Sequence, residues 1–150
     1  AEARAAAAAV GSMGVALTTC SLPGATPSDR LGPGTLEIGL GIHGEPGARQ
    51  GPVAPVDSLV DAALDGILSP AYLGPLLPPG GGGGNDVALL VNSLGATSAM
   101  ELSLIARRAI AVLRERNIRP VRVLVGPYMT ALDMAGFSLS LLRLAGPGPT

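Results

Sequence analysis

The chain has 150 residues, 47% of them hydrophobic, and a formal net charge of -1. That is one domain's worth of sequence with enough apolar content for a core. Its ten basic residues are all arginine and are scattered apart from one helical group, so the charge pattern excludes the basic footprint of a nucleic-acid or anionic-membrane binder. The single cysteine, Cys20, rules out an intramolecular disulfide and fits a reducing, cytosolic compartment, and one histidine with one cysteine makes no recognisable metal site.

In chain order, the alanine-rich start reads as a helix to about residue 9. With Glu2 and Arg4 inside it, it is too short and too broken for a membrane span or a signal peptide. The chain does not begin with Met, which reads as an excerpt from a longer protein. A strand is predicted over about residues 14–20, followed by a Pro/Gly turn region over 23–34.

Residues 36–43 carry the most informative pattern. Leu36, Ile38, Leu40 and Ile42 alternate with Glu37, Gly39, Gly41 and His43, which predicts a half-buried strand with the apolar residues on the core side. Glycines inside a strand weaken it and mark a face that a ligand or another backbone approaches closely. Gly44, Glu45, Pro46 and Gly47 then carry turn chemistry, so the chain's only histidine, His43, is expected at the strand end beside a cleared face. Glu37, roughly 20 Å away along such a strand, is too far to orient the ring, and Glu45 is the nearer carboxylate. A Cys20/His43 catalytic pair is disfavoured because nothing in the pattern activates the thiol.

A helix is predicted over about residues 56–68, with Asp57, Asp61 and Asp65 on the side opposite its apolar stripe, read as a solvated face rather than a cation site. Residues 73–85 are Pro/Gly-rich and end in five glycines, which predicts a surface loop. It is not a phosphate loop, because the chain has no lysine and these glycines precede a strand. The run at 86–91 predicts a strand buried on both faces. Ser98 to Glu101 forms a capping box opening a helix to about Arg116, whose arginines 107, 108, 114 and 116 are read as a solvated or interface face. Strands over about 121–125 and 137–144 complete the order, which argues for a layered α/β domain with a mixed β-sheet flanked by helices. The loops at 92–97 and 128–136 follow strands and are secondary candidates for a site; the bland reading is that Asn92 and Asp133 bond their own turns.

Four blocks in order, Gly11 to Gly24, Leu36 to Gly47, Leu90 to Gly95 and Val125 to Ser138, resemble segments of the dihydroxyacetone kinases, also called glycerone kinases or triokinases. The likeness spans the whole chain, residues 1–150, and corresponds to the second subdomain of their substrate-binding K domain. The resemblance implies that His43 attacks the carbonyl carbon of dihydroxyacetone to form a covalent hemiaminal, chemistry that suits a neutral imidazole near pH 7. It also implies that the rest of the substrate pocket lies in a preceding subdomain, that ATP and magnesium are held by a separate L domain or subunit, and that the K unit dimerises. This segment would then bind no cofactor or metal and be inactive as a kinase alone. Asn92-Ser93-Leu94-Gly95-Ala96 replaces the family's usual Asn-Asn-Leu-Gly-Gly, and Ala48-Arg49-Gln50 stands where relatives carry a second basic residue. Two other readings stand beside the enzyme fragment: a non-catalytic module that binds carbonyl compounds and signals to a partner protein, and a truncated relic.

Overall fold

A computed structural model of the chain describes residues 2–26, 30–40, 47–78 and 85–144. The described elements are α1 (Glu2–Ala8), β1 (Val10–Ala16), β2 (Thr35–Ile38), β3 (Arg49–Pro52), α2 (Val56–Ile67), a 3-10 turn (Gly74–Leu76), β4 (Asp86–Ser93), α3 (Ala99–Glu115), β5 (Arg119–Gly126) and β6 (Gly136–Arg143). The strands form one mixed sheet in the order β3-β2-β1-β6-β4-β5. Only β4 and β5 run parallel, joined through α3, and every other neighbouring pair is antiparallel.

The main core lies between the sheet and helices α2 and α3. Val87, Leu89 and Val91 of β4 and Phe137, Leu139 and Leu141 of β6 send alternate side chains into it, where they join Val60, Leu64 and Ile67 of α2 and Leu102, Ile105 and Leu113 of α3. The strand at 86–93 is therefore not buried on both faces as its composition suggests: Ala88 and Leu90 are only half buried. The opposite face carries small polar groups, among them Ser12 and Ser140, whose hydroxyls lie 2.6 Å apart.

Both long helices match their predicted spans. Helix α3 starts with the expected capping box, in which the Ser98 hydroxyl accepts from the Glu101 amide and the Glu101 carboxylate accepts from the Ser98 amide. The sequence reads the aspartate stripe of α2 as a solvated face and the arginine group of α3 as a solvated or interface face, with no indication that the two meet. They face each other: Arg107 bonds Asp57, Arg108 bonds Asp61 through two hydrogen bonds, and Arg116 bonds Asp65. The side-by-side packing of the two helices lays one stripe along the other, a tertiary relation that no single-helix pattern reveals.

Three boundaries near the N-terminal half differ from expectation. The first strand begins at Val10 rather than near 14, because it pairs with β6 along its whole length, from Val10 opposite Leu142 to Ala16 opposite Gly136. It stops at Ala16, since the Leu17 and Thr18 amides both turn to the Ala135 carbonyl. The second strand stops at Ile38 instead of reaching 43, and an unpredicted strand, Arg49–Pro52, folds back beside it with Ile38 opposite Arg49. Residues 73–78, expected to be a plain loop, hold a 3-10 turn pinned by buried Leu73 and Leu77. The pentaglycine run lies outside the described residues.

Candidate functional site

The expected histidine strand is in fact the base of a β2–β3 hairpin. Gly39 ends β2 with φ +85°, in the left-handed region that favours glycine, and a Cβ there would stand 2.9 Å from the Ala48 nitrogen. The Gly39 amide donates to the Gly14 carbonyl at 2.7 Å and the Ala48 amide to the Ile38 carbonyl at 2.8 Å. Residues 39 and 48 are thus the two posts of a connecting segment. His43 lies within residues 41–46, outside the described part of the chain.

The posts are held by a buried carboxylate. Glu37, expected on an open, glycine-cleared face, is 2% exposed. Its two oxygens accept from Arg30 Nη2 at 2.8 and 3.1 Å, one of them also accepts from the Gly47 amide, and the other from Gln50 Nε2 at 3.2 Å. Burial alone would push this carboxyl up, but the Gly47 amide, Gln50 and the Arg30 guanidinium outweigh it and hold the group below its ordinary value. Gly47 fits because it has no side chain: a Cβ there would meet the Ile38 carbonyl oxygen at 2.6 Å and Glu37 Cγ at 2.7 Å.

Just beyond Gly39 the chain enters a second, smaller apolar cluster. Leu40 packs there with Ala16 at the end of β1, Leu94 after β4, and Ala131 and Met134 from the loop before β6, with Cys20 and Leu31 at its margin. The two strand-end loops singled out from the sequence therefore meet the start of the histidine segment around one cluster. They do not bond their own turns as the bland reading has it. The Asn92 side chain, 1% exposed, accepts from the Tyr128 and Met129 amides, both at 2.8 Å, and donates to the Met129 carbonyl and the Ser138 hydroxyl. Asp133 accepts from the Ser21 amide at 2.9 Å, which ties that loop to the chain after β1. Gly95 allows the close crossing, since a Cβ on it would lie 2.1 Å from the Leu132 carbonyl oxygen.

A cleft of about 570 Å³ opens between the hairpin and α2, lined by Met13, Ile38, Ala48, Arg49, Ser58 and Asp61 among others. A second cavity of about 550 Å³ sits where the C-terminal ends of α2 and α3 meet the 3-10 turn. Its walls include Leu68, Pro75, Leu77 and Ile118, with Glu115 and Arg116. Among the described residues no group of three or more His, Cys, Asp or Glu side chains could hold a metal ion. No helix of the described residues is long and apolar enough to cross a membrane.

The family profile of the Dak1 domain matches residues 1–147. The chain belongs to the Dak1 domain family. A Solanum lycopersicum protein provisionally named a 3,4-dihydroxy-2-butanone kinase is 50% identical over 146 residues, which is 95% of this chain and 24% of that protein. The solved structure of the dihydroxyacetone kinase from C. freundii with AMP-PNP and Mg2+ is 37% identical and superposes with a TM-score of 0.73, covering 95% of this chain and 25% of the kinase. A dihydroxyacetone kinase operon co-activator superposes with a TM-score of 0.85 at 27% identity, covering 97% of this chain and 43% of the co-activator. This Dak1 chain thus spans about a quarter of the length of the Solanum lycopersicum protein and of the similar Mus musculus triokinase/FMN cyclase. The recognition made from the four sequence blocks and the mixed α/β fold class both stand.

Sequence reading missed the hairpin and with it the importance of Glu37, Arg30 and Gly47. A usable signal was present: Gly39 and Gly47 bracket the segment symmetrically, and glycines at both ends of a run are the mark of a connection rather than of a continuous strand.

Proposed function

We propose that this Dak1 chain is the second subdomain of a K-type unit in a kinase that phosphorylates dihydroxyacetone, with glyceraldehyde as a related substrate, and that His43 captures the substrate carbonyl. The carrying observation is the match of the whole chain to a family whose similar members are named as kinases of short hydroxyketones. The retained segment Gly41 to Gly47, with the family's histidine, supports it at residue level.

The step is an addition. The lone pair of a neutral imidazole nitrogen attacks the carbonyl carbon, an N–C bond forms, the carbonyl π pair moves to oxygen, and that oxygen takes a proton while the ring loses the proton of its other nitrogen. The product is a neutral hemiaminal, reversible without any further reagent. Glycerol has no carbonyl and cannot form it. A tethered substrate presents its hydroxyl in a fixed position, and in phosphoryl transfer positioning and charge stabilisation supply most of the acceleration.

ATP and magnesium belong, on this reading, to an L-type domain in the same protein or a partner subunit, acting in the cytosol. The remaining half of the pocket belongs to a preceding K subdomain, the K unit forms a homodimer, and the segment alone has no kinase activity. The likeness to an operon co-activator favours one second reading, a carbonyl-binding module that transfers no phosphoryl group. The test is phosphate transfer from ATP with magnesium by the parent protein, supplied with an L-type subunit where its own chain has none. Expected is phosphorylation of dihydroxyacetone that His43→Ala reduces to background. Dihydroxyacetone binding without transfer selects the module instead.

A further inference from the structure

We propose that Glu37 is a positioning residue for the capture step: its buried carboxylate sets where the segment carrying His43 begins and ends. The inference rests on the reading of His43 as the carbonyl-capturing group.

Glu37 sits one residue before the end of β2, in register with Gln50 of β3 and Ala16 of β1. Each of its three partners comes from a different stage of the hairpin's surroundings. Arg30 lies in the approach to β2, Gln50 is in the returning strand, and the Gly47 amide is the first described group after residue 46. One carboxylate therefore joins the entry, the exit and the strand floor of the connection. The ladder alone does not require this, because β2 and β3 already pair at all four residues from Thr35 opposite Pro52 to Ile38 opposite Arg49.

Energetics points the same way. A buried ion pair recovers little or no net stability over an apolar side chain of similar size, since desolvation cancels most of the attraction, and such pairs are best attested where they fix one geometry. Leu36 and Ile38, the neighbours of Glu37 in β2, are both buried and apolar, so an apolar residue at 37 would suit a purely structural strand. What an apolar residue could not supply is an acceptor for the Gly47 amide, and that amide fixes the exit post. A displacement of about 1 Å in a reacting group costs up to about 10²-fold in a positioned reaction.

The experiment is dihydroxyacetone occupancy by native mass spectrometry on the parent protein, as a function of ketone concentration, with thermal midpoints measured alongside. The variants are Glu37→Gln and Glu37→Met. A control, Val112→Ala, weakens the core of α3 away from the hairpin. Expected for Glu37→Met is an apparent Kd raised about ten- to a hundredfold even where the thermal midpoint is kept, while Glu37→Gln, whose amide oxygen still offers the Gly47 amide an acceptor, stays closer to the wild type, and Val112→Ala loses thermal stability and keeps the wild-type Kd. A His43-dependent adduct in the wild type with Glu37→Met within twofold of it overturns the positioning role. So does an equal loss in Val112→Ala. No adduct in a folded wild type, by contrast, overturns the reading of His43 and the inference built on it together.

Discussion

Asn92 illustrates how much one buried side chain can hold. Its amide oxygen accepts from the Tyr128 and Met129 amides and its NH2 donates to the Met129 carbonyl, all in the chain between β5 and β6, and to the Ser138 hydroxyl within β6, so removal takes the acceptor from two part-buried backbone donors at once. Asn92→Ala is expected to cost about 1–3 kcal/mol in total, read as a shift in the urea midpoint. Gly95 is a second single-residue requirement. With φ +148° and a carbonyl oxygen where a Cβ would go, Gly95→Ala is expected to destabilise by more than about 1 kcal/mol, and a neutral result would contradict the close crossing of the two loops. His43 was singled out from residue type, spacing and resemblance and lies outside the described residues, whereas the buried bonding of Glu37 was not legible in the sequence. Alternation put it on an open face, and only the return of β3 buries it.

Helices α2 and α3 set the next scale. The three arginine–aspartate pairs between them differ in exposure. Arg107 and Asp57 are about half exposed, while Arg108 and Asp61 are 25% and 35% exposed and share two hydrogen bonds. Exposed pairs give little because solvent and salt screen them. Double-mutant cycles are therefore expected to return about 0.5–1 kcal/mol for Asp61 with Arg108 and close to zero for Asp57 with Arg107, both shrinking in high salt. Each helix was readable alone, from its apolar period and, for α3, its capping box. Their mutual charge pairing was not, because two stripes on separate helices carry no sequence signal of which way they turn toward each other. The β2–β3 hairpin failed for a related reason: glycine-rich alternation fits a strand and a turn equally until the partner strand is known.

At the scale of the molecule, the class of mixed sheet followed from the element order, but the strand order β3-β2-β1-β6-β4-β5 depends on pairings between residues far apart in sequence, such as Val10 with Leu142. Acid stability integrates these contacts. Glu37 is held low against its burial by Gly47, Gln50 and Arg30. Asp61 is held low mainly by its hydrogen bonds to Arg108, and Asp86 mainly by its hydrogen bonds to Arg119. A folded-state value below the unfolded one means that the unfolded chain binds more protons on acidification, so the stabilisation is present above the ordinary carboxylate range and is lost as pH falls through the depressed values. Urea midpoints are expected to be level near neutrality and to drop below about pH 4, with a shallower drop in Glu37→Gln; an unchanged slope in that variant would contradict an ionised Glu37.

The most direct measurement is intact-protein native mass spectrometry of the parent protein with dihydroxyacetone, beside its His43→Ala variant and with glycerol as the control ligand. Expected is a single added mass of dihydroxyacetone, reversible on dilution, absent with glycerol and absent in the variant. An adduct that survives His43→Ala, or none in a folded wild type, would contradict capture of the carbonyl by His43.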